Sequence, residues 1–315
     1  MNNSTYKSIN YRLIDNASSG QRLDNYLLGR LKKVPRSHIY QLIRSGQVRV
    51  NSSRVRPNYR LREGDNLRIP PVFIKAKDHK TQNPSNIDLV KNSVIYEDNK
   101  LIVLNKPSGV AVHGGSGIDY GCIETLRIIY PKFKELDLVH RLDRGTSGCL
   151  LVAKKRSTLR HLHLLIREKL VEKRYLALVK GSWELGTITV DEPLFTYKKS
   201  NGQSFVKVSK EGKNAKSHFK LIESFGGLAS LVEVVIETGR THQIRAHSKY
   251  LGYPIAGDQQ YGDKDFNKII KKKGLQRIFL HAHAISFSWS DSKGDLSISC
   301  PLPDDLKKLH KRLVS

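Results

Sequence analysis

The residues with the clearest capacity for chemistry lie in one short stretch, residues 140–149, which reads HRLDRGTSGC. Asp143 stands there between Arg141 and Arg144, ahead of glycines at 145 and 148. A neighbouring guanidinium favours the ionised carboxylate, and glycine lets a bulky substrate approach the backbone. Such a carboxylate could serve as a nucleophile or a base. From this stretch alone, an Asp that only caps a turn before a buried strand is an equally good interpretation.

Three further polar positions could take part in the same chemistry. Tyr175 follows two cations at the start of an apolar strand, where its ring belongs either to the core or against a nucleic-acid base. Arg240 lies at a predicted strand-to-helix junction, where a fixed guanidinium can clamp a carboxylate or phosphate. We expect Thr241 to cap that helix. Arg141 precedes Asp143 by two residues and shares its side if the segment is extended.

The composition predicts a polyanionic partner. The chain has 315 residues and a formal charge of +26, with 55 Lys and Arg against 29 Asp and Glu. Such a surplus favours nucleic acid over a membrane surface, and no stretch is apolar for the eighteen or more residues that a spanning helix needs. Three scattered cysteines predict reduced thiols in a cytoplasm. We expect no metal, because the histidine pairs lack the acid or cysteine pattern of a zinc site.

Hydrophobic patterning divides the chain into four segments. We predict an N-terminal extension at 1–19, a compact basic domain at 20–71, a polar linker at 72–92 and a large domain at 93–315. The basic domain shows two short helices and a hairpin, and residues 20–70 carry twelve Lys or Arg against three acids, a net charge of +9. The large domain mixes short strands with a few helices that do not alternate regularly, which favours an α+β fold.

Several short motifs in this sequence resemble the motifs of known families. Residues 20–71 resemble the S4 RNA-binding domain, through RLD at 22–24, SGQVRVN at 45–51 and REGD at 62–65. The large domain resembles the RluA family of pseudouridine synthases, and within it the RluC type, which acts on large-subunit ribosomal RNA. Its family words are NKPSG at 105–109, HRLDxxTSG at 140–148, KxY at 173–175, GRTHQIR at 239–245 and LHA at 280–282.

The resemblance implies a function and a role for each site residue. It implies a mixed, mainly antiparallel catalytic sheet and a cofactor-free isomerisation of uridine to pseudouridine in 23S ribosomal RNA or the assembling large subunit. Asp143 is then catalytic, Tyr175 lies against the uracil, and Arg240 pairs with Asp143 and keeps it charged. Leu280 supplies an apolar contact. We add the hypothesis that Arg141 fills the space vacated by the extruded base or holds the adjacent phosphate. A monomer is the default expectation.

Two other kinds of protein remain as alternatives at this point. A non-catalytic ribosomal-RNA-binding or ribosome-assembly protein would account equally well for the charge and the basic domain. An RNA hydrolase would be expected to show several metal-binding acids or a histidine acid/base pair, and neither stands out in the sequence.

Overall fold

The computed structural model divides the chain into two compact units, residues 1–81 and 82–315. The structure describes residues 8–31, 34–72, 84–114, 120–199, 203–289 and 294–314. No helix within these ranges is long and apolar enough to cross a membrane.

The first unit packs two helices against a small antiparallel sheet. Its elements are β1 (Asn10–Leu13), α1 (Leu23–Arg30), α2 (Arg36–Arg44), β2 (Arg49–Val50), β3 (Ser53–Arg54) and β4 (Asn66–Ile69), with the strand order β1-β4-β2-β3. Leu23 and Leu27 of α1 are fully buried against Ile39 of α2 and Leu67 of β4. Both helices that the apolar spacing predicts are therefore present.

The second unit is larger and contains both helices and strands. Its elements are α3 (Pro84–Lys91), β5 (Val94–Glu97), β6 (Leu101–Lys106), α4 (Cys122–Ile129), β7 (Asp137–Leu138), β8 (Ser147–Ala153), α5 (Arg156–Arg167), β9 (Val171–Lys180), β10 (Thr187–Asp191), β11 (Leu194–Lys198), β12 (Ser204–Val208), β13 (Lys216–Phe225), β14 (Ala229–Ile236), α6 (Gln243–Tyr250), α7 (Lys264–Lys272), β15 (Leu280–Ser288), β16 (Asp295–Ser299) and α8 (Asp304–Val314).

A ten-stranded sheet forms the centre of this unit. Eight strands follow the order β10-β13-β14-β9-β15-β8-β6-β5, while β16 pairs with β15 and β7 pairs with β8. Neighbouring strands run antiparallel, except that β15 and β8 are parallel. The α+β fold with a mixed, mainly antiparallel sheet is confirmed.

Both faces of the central sheet are covered. All seven residues of β8 are buried, so its sequence is apolar or small without alternation. Leu150 and Val152 face the cluster that contains Leu126 of α4, whereas Leu151 faces the cluster that contains Leu162 of α5. Because β8 is fixed from both sides, the loop immediately before it has a rigid support.

Two segments differ from the organisation predicted from the sequence. The predicted N-terminal extension, 1–19, contains β1, which pairs along its whole length with β4. The predicted linker, 72–92, contains α3, which contacts α4, although residues 73–83 of it lie outside the described ranges. Both elements are too short to show a clear apolar period: β1 is held by backbone pairing, and α3 packs into the core through Val90.

Gly148 supports a prediction about stability. Its φ of +111° is unfavourable for a side chain, and an added methyl group would collide with the backbone of Ala282 on the parallel strand β15. We expect Gly148→Ala to lower the free energy of unfolding by at least about 3 kcal/mol, measured by urea denaturation. Gly239→Ala is the control, since its methyl group would meet nothing within 4 Å. An equal, small effect of both substitutions would contradict this explanation of Gly148.

Candidate active site

Asp143 lies in the loop that joins β7 to β8, and a second loop holds that segment in place. Gly109 and Arg144 exchange hydrogen bonds: the Gly109 amide donates to the Arg144 carbonyl, and Arg144 Nε donates to the Gly109 carbonyl, both at 2.8 Å. Ser108 Oγ donates to the Gly145 carbonyl at 2.7 Å. Lys106 is fully buried, and its Nζ donates to the carbonyls of Pro107 and Val110 as well as Arg144. The NKPSG motif therefore holds the backbone that follows the HRLD motif, and with it Asp143, in place.

The carboxylate of Asp143 has a specific cationic partner in Arg245 of α6. Arg245 Nη1 donates to Asp143 Oδ2 at 3.1 Å, and the Arg245 side chain is only 12% exposed. The side chain of Asp143 is 31% exposed, so the carboxylate is held on one side and open on the other. This arrangement suits a group that must stay ionised and still reach a substrate.

Arg245 is itself fixed by a second carboxylate, Asp258. Arg245 Nε and Nη2 donate to the two oxygens of Asp258 at 2.7 and 2.9 Å, and the Asp258 side chain is fully buried. Amides of Gln260 and Tyr261 also donate to Asp258. Burial alone would raise the pKa of Asp258, but the hydrogen bonds and charge of Arg245 outweigh it and leave the pKa below its ordinary value.

An aromatic and a histidine complete the surroundings of Arg245. The guanidinium lies over the ring of Tyr261, with its central carbon 4.8 Å from the ring centroid. The Tyr261 hydroxyl pairs with His242 Nδ1 at 2.9 Å, and His242 Nε2 lies 3.7 Å from Asp143 Oδ2. Burial lowers the pKa of His242 in spite of the nearby carboxylate, which favours a neutral imidazole here.

Two expectations about the GRTHQIR word are wrong in their details. His242, not Thr241, precedes the first residue of α6, and its backbone is in the left-handed region with φ +53° and ψ +22°. Arg240 Nε donates to the Asn214 carbonyl at 3.0 Å, and among the described residues Asp143 is paired with Arg245 and not with Arg240. The turn at His242 directs the second arginine of the word, rather than the first, to the carboxylate.

All five site residues predicted from the sequence border a single inner pocket of about 80 Å³. They are Arg141, Asp143, Tyr175, Arg240 and Leu280. A wider cleft of about 890 Å³ shares all of them except Leu280 and extends along α5 and β13. We refer to these two spaces below as the inner pocket and the cleft.

The walls of the inner pocket differ in character. Tyr175 and Leu280 are 7% and 4% exposed and lie on the neighbouring strands β9 and β15, while Arg141 is exposed. Burial, together with the charge of Asp143, raises the pKa of Tyr175, so its phenol is neutral over the physiological range. The pocket therefore combines a flat, buried, uncharged surface with one carboxylate and several cations. Within the described ranges, no group of three His, Cys, Asp or Glu side chains could hold a metal ion.

Comparison with known proteins identifies the family of this chain. The model of the RNA pseudouridylate synthase family matches residues 100–250, and that of the S4 domain matches residues 21–67. Ribosomal large subunit pseudouridine synthase C of Haemophilus influenzae is 46% identical, with 97% of this chain and 95% of that protein covered. The protein of that name from Vibrio vulnificus is 48% identical, with 95% of each chain covered.

A solved structure agrees with these sequence matches. Human RNA pseudouridylate synthase domain containing 4 superposes with a TM-score of 0.61 at 25% identity, covering 73% of this chain and 96% of that one. The chain belongs to the RNA pseudouridylate synthase family. It is an RNA pseudouridine synthase with an N-terminal S4 domain, as the sequence words predicted.

The enzyme also contains site residues that the sequence did not single out, notably Arg245, His242 and Asp258. Arg245 and His242 belong to the GRTHQIR word, so the signal for them was present, but sequence spacing does not show which arginine faces Asp143. Asp258 had no signal of its own, since GD pairs are common in turns. Its role follows only from its burial and its two bonds to Arg245.

Asp258 allows a test of this network with a defined dependence on pH. Asp258→Asn should lower the free energy of unfolding by about 3 kcal/mol at pH 7, because it leaves a buried guanidinium without its main counter-charge. The pKa of Asp258 is lower in the folded protein than the ordinary Asp pKa of about 3.9. Wild type is therefore more stable than the variant above about pH 3.9, and this difference in stability is lost as the pH falls through the pKa of Asp258 in the folded protein. Urea denaturation between pH 7 and pH 3 measures the difference.

The control for this experiment is Asp265→Asn. Asp265 is 86% exposed and pairs with Lys268 on the surface of α7, so its loss should change stability by no more than about 0.5 kcal/mol at either pH. A deficit of the Asp258 variant that is as large at pH 3 as at pH 7 would mean that packing, and not charge, explains it.

Proposed function

We propose that the enzyme converts specific uridines of large-subunit (23S) ribosomal RNA into pseudouridine at the inner pocket. The proposal rests on one observation above all: a partly exposed carboxylate, fixed by Arg245, borders the same pocket as a buried aromatic ring and several cations. The choice of RNA follows the names of the relatives from Haemophilus influenzae and Vibrio vulnificus. Free 23S RNA and the assembling subunit are both possible forms of this substrate, and the cytoplasm is where either is found.

The reaction needs only acid–base and covalent chemistry. The C1′–N1 bond of uridine breaks, the uracil turns, a C1′–C5 bond forms, and the proton on C5 leaves while N1 gains one. No atom is oxidised and no group is lost, so we propose that no cofactor takes part. Asp143 is the catalytic residue, either as nucleophile at C1′ or as base at C2′, and both roles require the ionised carboxylate that faces Arg245.

The substrate base has to leave its stack before Asp143 can reach the sugar. Extrusion of a nucleotide costs roughly a few kcal/mol, and contacts with the protein must offset that cost. In this proposal Tyr175 stacks on the uracil, Leu280 supports its edge, and Arg141 fills the vacated space or holds the adjacent phosphate. Arg141 is exposed at the mouth of the pocket, which suits a residue that meets the RNA first.

Arg240 and Arg245 divide between them the functions that we first assigned to Arg240. Arg245 keeps the charge and orientation of Asp143, because it is bonded to it and is nearly buried. Arg240 is fixed through Nε to the Asn214 carbonyl, and its remaining nitrogens have no hydrogen-bond partner in the described part of the chain. We assign those nitrogens to the RNA backbone or the uracil oxygens.

The S4 unit delivers the RNA in this proposal. Its net charge of +9 over residues 20–70 supplies affinity that depends on salt rather than on sequence. The inner pocket then supplies the reaction and acts on whichever uridine the bound RNA presents.

The central experiment compares wild type with Asp143→Asn on 23S ribosomal RNA transcripts. The amide keeps the size of the side chain but can act neither as nucleophile nor as base. We expect RNA binding to remain within about threefold of wild type and single-turnover pseudouridine formation to fall by at least ~10³-fold. Mapping of pseudouridine in the product RNA measures the turnover, and equilibrium binding measures the affinity.

Two results would contradict the proposal in different ways. Normal turnover by the Asp143 variant would remove Asp143 from the catalytic role. Efficient modification by wild type of small-subunit RNA or transfer RNA, with 23S RNA left unmodified, would replace the proposed substrate while preserving the reaction.

Tyr175 separates stacking from acid–base chemistry. Because burial and Asp143 both oppose ionisation of its phenol, we assign the ring to stacking. Tyr175→Phe keeps the ring and should bind target RNA within about threefold of wild type, whereas Tyr175→Ala should bind at least about fivefold more weakly. Titration of a short RNA that contains the target uridine measures both. Equal affinity of the two variants would contradict the stacking role.

A further inference from the structure

Lys173 presents a buried cation to the cleft without any partner of opposite charge. It lies on β9, is 6% exposed, and borders the cleft together with Asp143 and Tyr175. Among the residues that the structure describes, it has neither a hydrogen-bond partner nor an ion-pair partner. The ammonium group of such a side chain is largely removed from water where it borders the cleft, which is unfavourable without a partner and points to an anionic ligand there.

The position of Lys173 restricts which anion it can meet. Lys173 and Tyr175 are two residues apart on one strand, so their side chains share a face and are separated by about 6 to 7 Å of backbone. If Tyr175 stacks on the uracil, Lys173 lies about one nucleotide unit from that base. The anion at this distance in RNA is a backbone phosphate.

The other charged groups of the cleft leave Lys173 available. The other acidic residues of the cleft already have cationic partners. Glu237 pairs with Lys169 at 2.7 Å and with His218 at 2.9 Å, and Asp191 lies 3.5 Å from Lys216. Asp143 is paired with Arg245.

The remaining groups that border the cleft are cations or histidines bound to backbone. Arg141 and Arg167 are exposed, and Arg240 is bonded to a carbonyl. His140 Nε2 accepts from the Leu151 amide, and His163 Nε2 pairs with the Val139 carbonyl. Burial lowers the pKa of His140 to about 4, so it adds no charge beside Lys173 at neutral pH.

We infer that Lys173 is a phosphate-binding residue that holds a backbone phosphate next to the target uridine and so sets the position of the flipped nucleotide over Asp143. This inference rests on the proposed function, because it requires an RNA strand in the cleft. It assigns a specific contact to a residue that the reaction itself does not use.

The protonation of Lys173 provides an independent readout. Burial lowers the pKa of Lys173 to about 8, so the free enzyme loses this charge as the pH rises through that value. We expect kcat/KM to decline with an apparent pKa near 8 in wild type, and this decline to be smaller in Lys173→Arg, since a guanidinium stays protonated. Burial also lowers the pKa of Lys106 to about 8, but Lys106 is enclosed by carbonyls and would cause the same decline in both proteins.

The decisive experiment combines a protein change with an RNA change. Lys173→Met, which keeps the length of the side chain, should lower kcat/KM on a short target RNA by about tenfold to a hundredfold. Each phosphate that flanks the target uridine is then replaced in turn by a neutral methylphosphonate, which requires a 2′-deoxy sugar beside it. The reference for each substrate is the RNA with the same 2′-deoxy sugar and an ordinary phosphate. At one linkage the loss caused by Lys173→Met should shrink to about twofold or less.

The controls separate a phosphate contact from a structural role. Lys180→Met removes a cation of the same strand that lies outside the cleft and is paired with Asp263 at 2.9 Å, and it should change kcat/KM by no more than about twofold. The melting temperature of Lys173→Met should equal or exceed that of wild type, because a buried unpaired charge is removed.

Three outcomes would overturn the inference. They are an unchanged kcat/KM in Lys173→Met, an undiminished effect of Lys173→Met at every neutralised linkage, and a decline near pH 8 that is as large in Lys173→Arg as in wild type. Failure of the proposed function would look different, because wild type would then form no pseudouridine in the unmodified target RNA.

Discussion

One guanidinium shared between two carboxylates determines the geometry of this site. Arg245 is bonded through two nitrogens to Asp258 and through a third to Asp143. Asp258 is completely buried and also accepts two backbone amides, so it cannot follow a moving partner. Arg245 is therefore immobile, and the orientation of Asp143 follows from it. Two negative charges face this one positive charge, so Arg245 does not fully neutralise the carboxylate of Asp143.

The backbone of Asp143 is fixed by a different set of contacts. Lys106 and Ser108 hold the carbonyls of Arg144 and Gly145 from one side, and Gly148 allows β15 to approach β8 from the other. Rigid support of this kind matters for a catalytic carboxylate, because an error of about 1 Å in the position of a reacting group is costly in rate. The family motifs NKPSG and TSG therefore serve to hold the backbone of Asp143 in place.

The sequence predicted the composition of the site better than its internal pairing. Four of the five family motifs contribute a residue to the inner pocket, because the chemistry there constrains residue type, and the fifth, NKPSG, holds the loop of Asp143 from outside the pocket. Which arginine pairs with Asp143 depends on the conformation of backbone turns, and residue types predict that conformation poorly. His242 adopts a left-handed conformation that few non-glycine residues take, and this turn exchanges the expected Arg240 for Arg245 at Asp143. No pattern of polar and apolar residues contains that information.

The same distinction applies to the fold. Helices α1 and α2 and the buried strand β8 have periodic or continuous apolar sequences, and all three were predicted. Strand β1 is mostly exposed and pairs with β4 through its backbone, and α3 has only eight residues, so both lay within segments predicted to be an extension and a linker. Elements held by backbone bonds or by contacts with distant residues leave little trace in local sequence.

Charge has two distinct tasks in this enzyme, and burial separates them. Exposed cations such as those of the S4 unit are screened by salt and hydrated, so each adds a little affinity for any polyanion. Arg245 and Lys173 are largely removed from water, where an unsatisfied charge is costly and a correct partner is strongly preferred. Arg245 has its partners within the protein. Lys173 has none among the described residues. If a phosphate of the substrate RNA binds Lys173, the extruded uracil next to that phosphate is placed against Tyr175 and Asp143. The many surface charges then gather RNA, and these few buried ones decide where along it the reaction occurs.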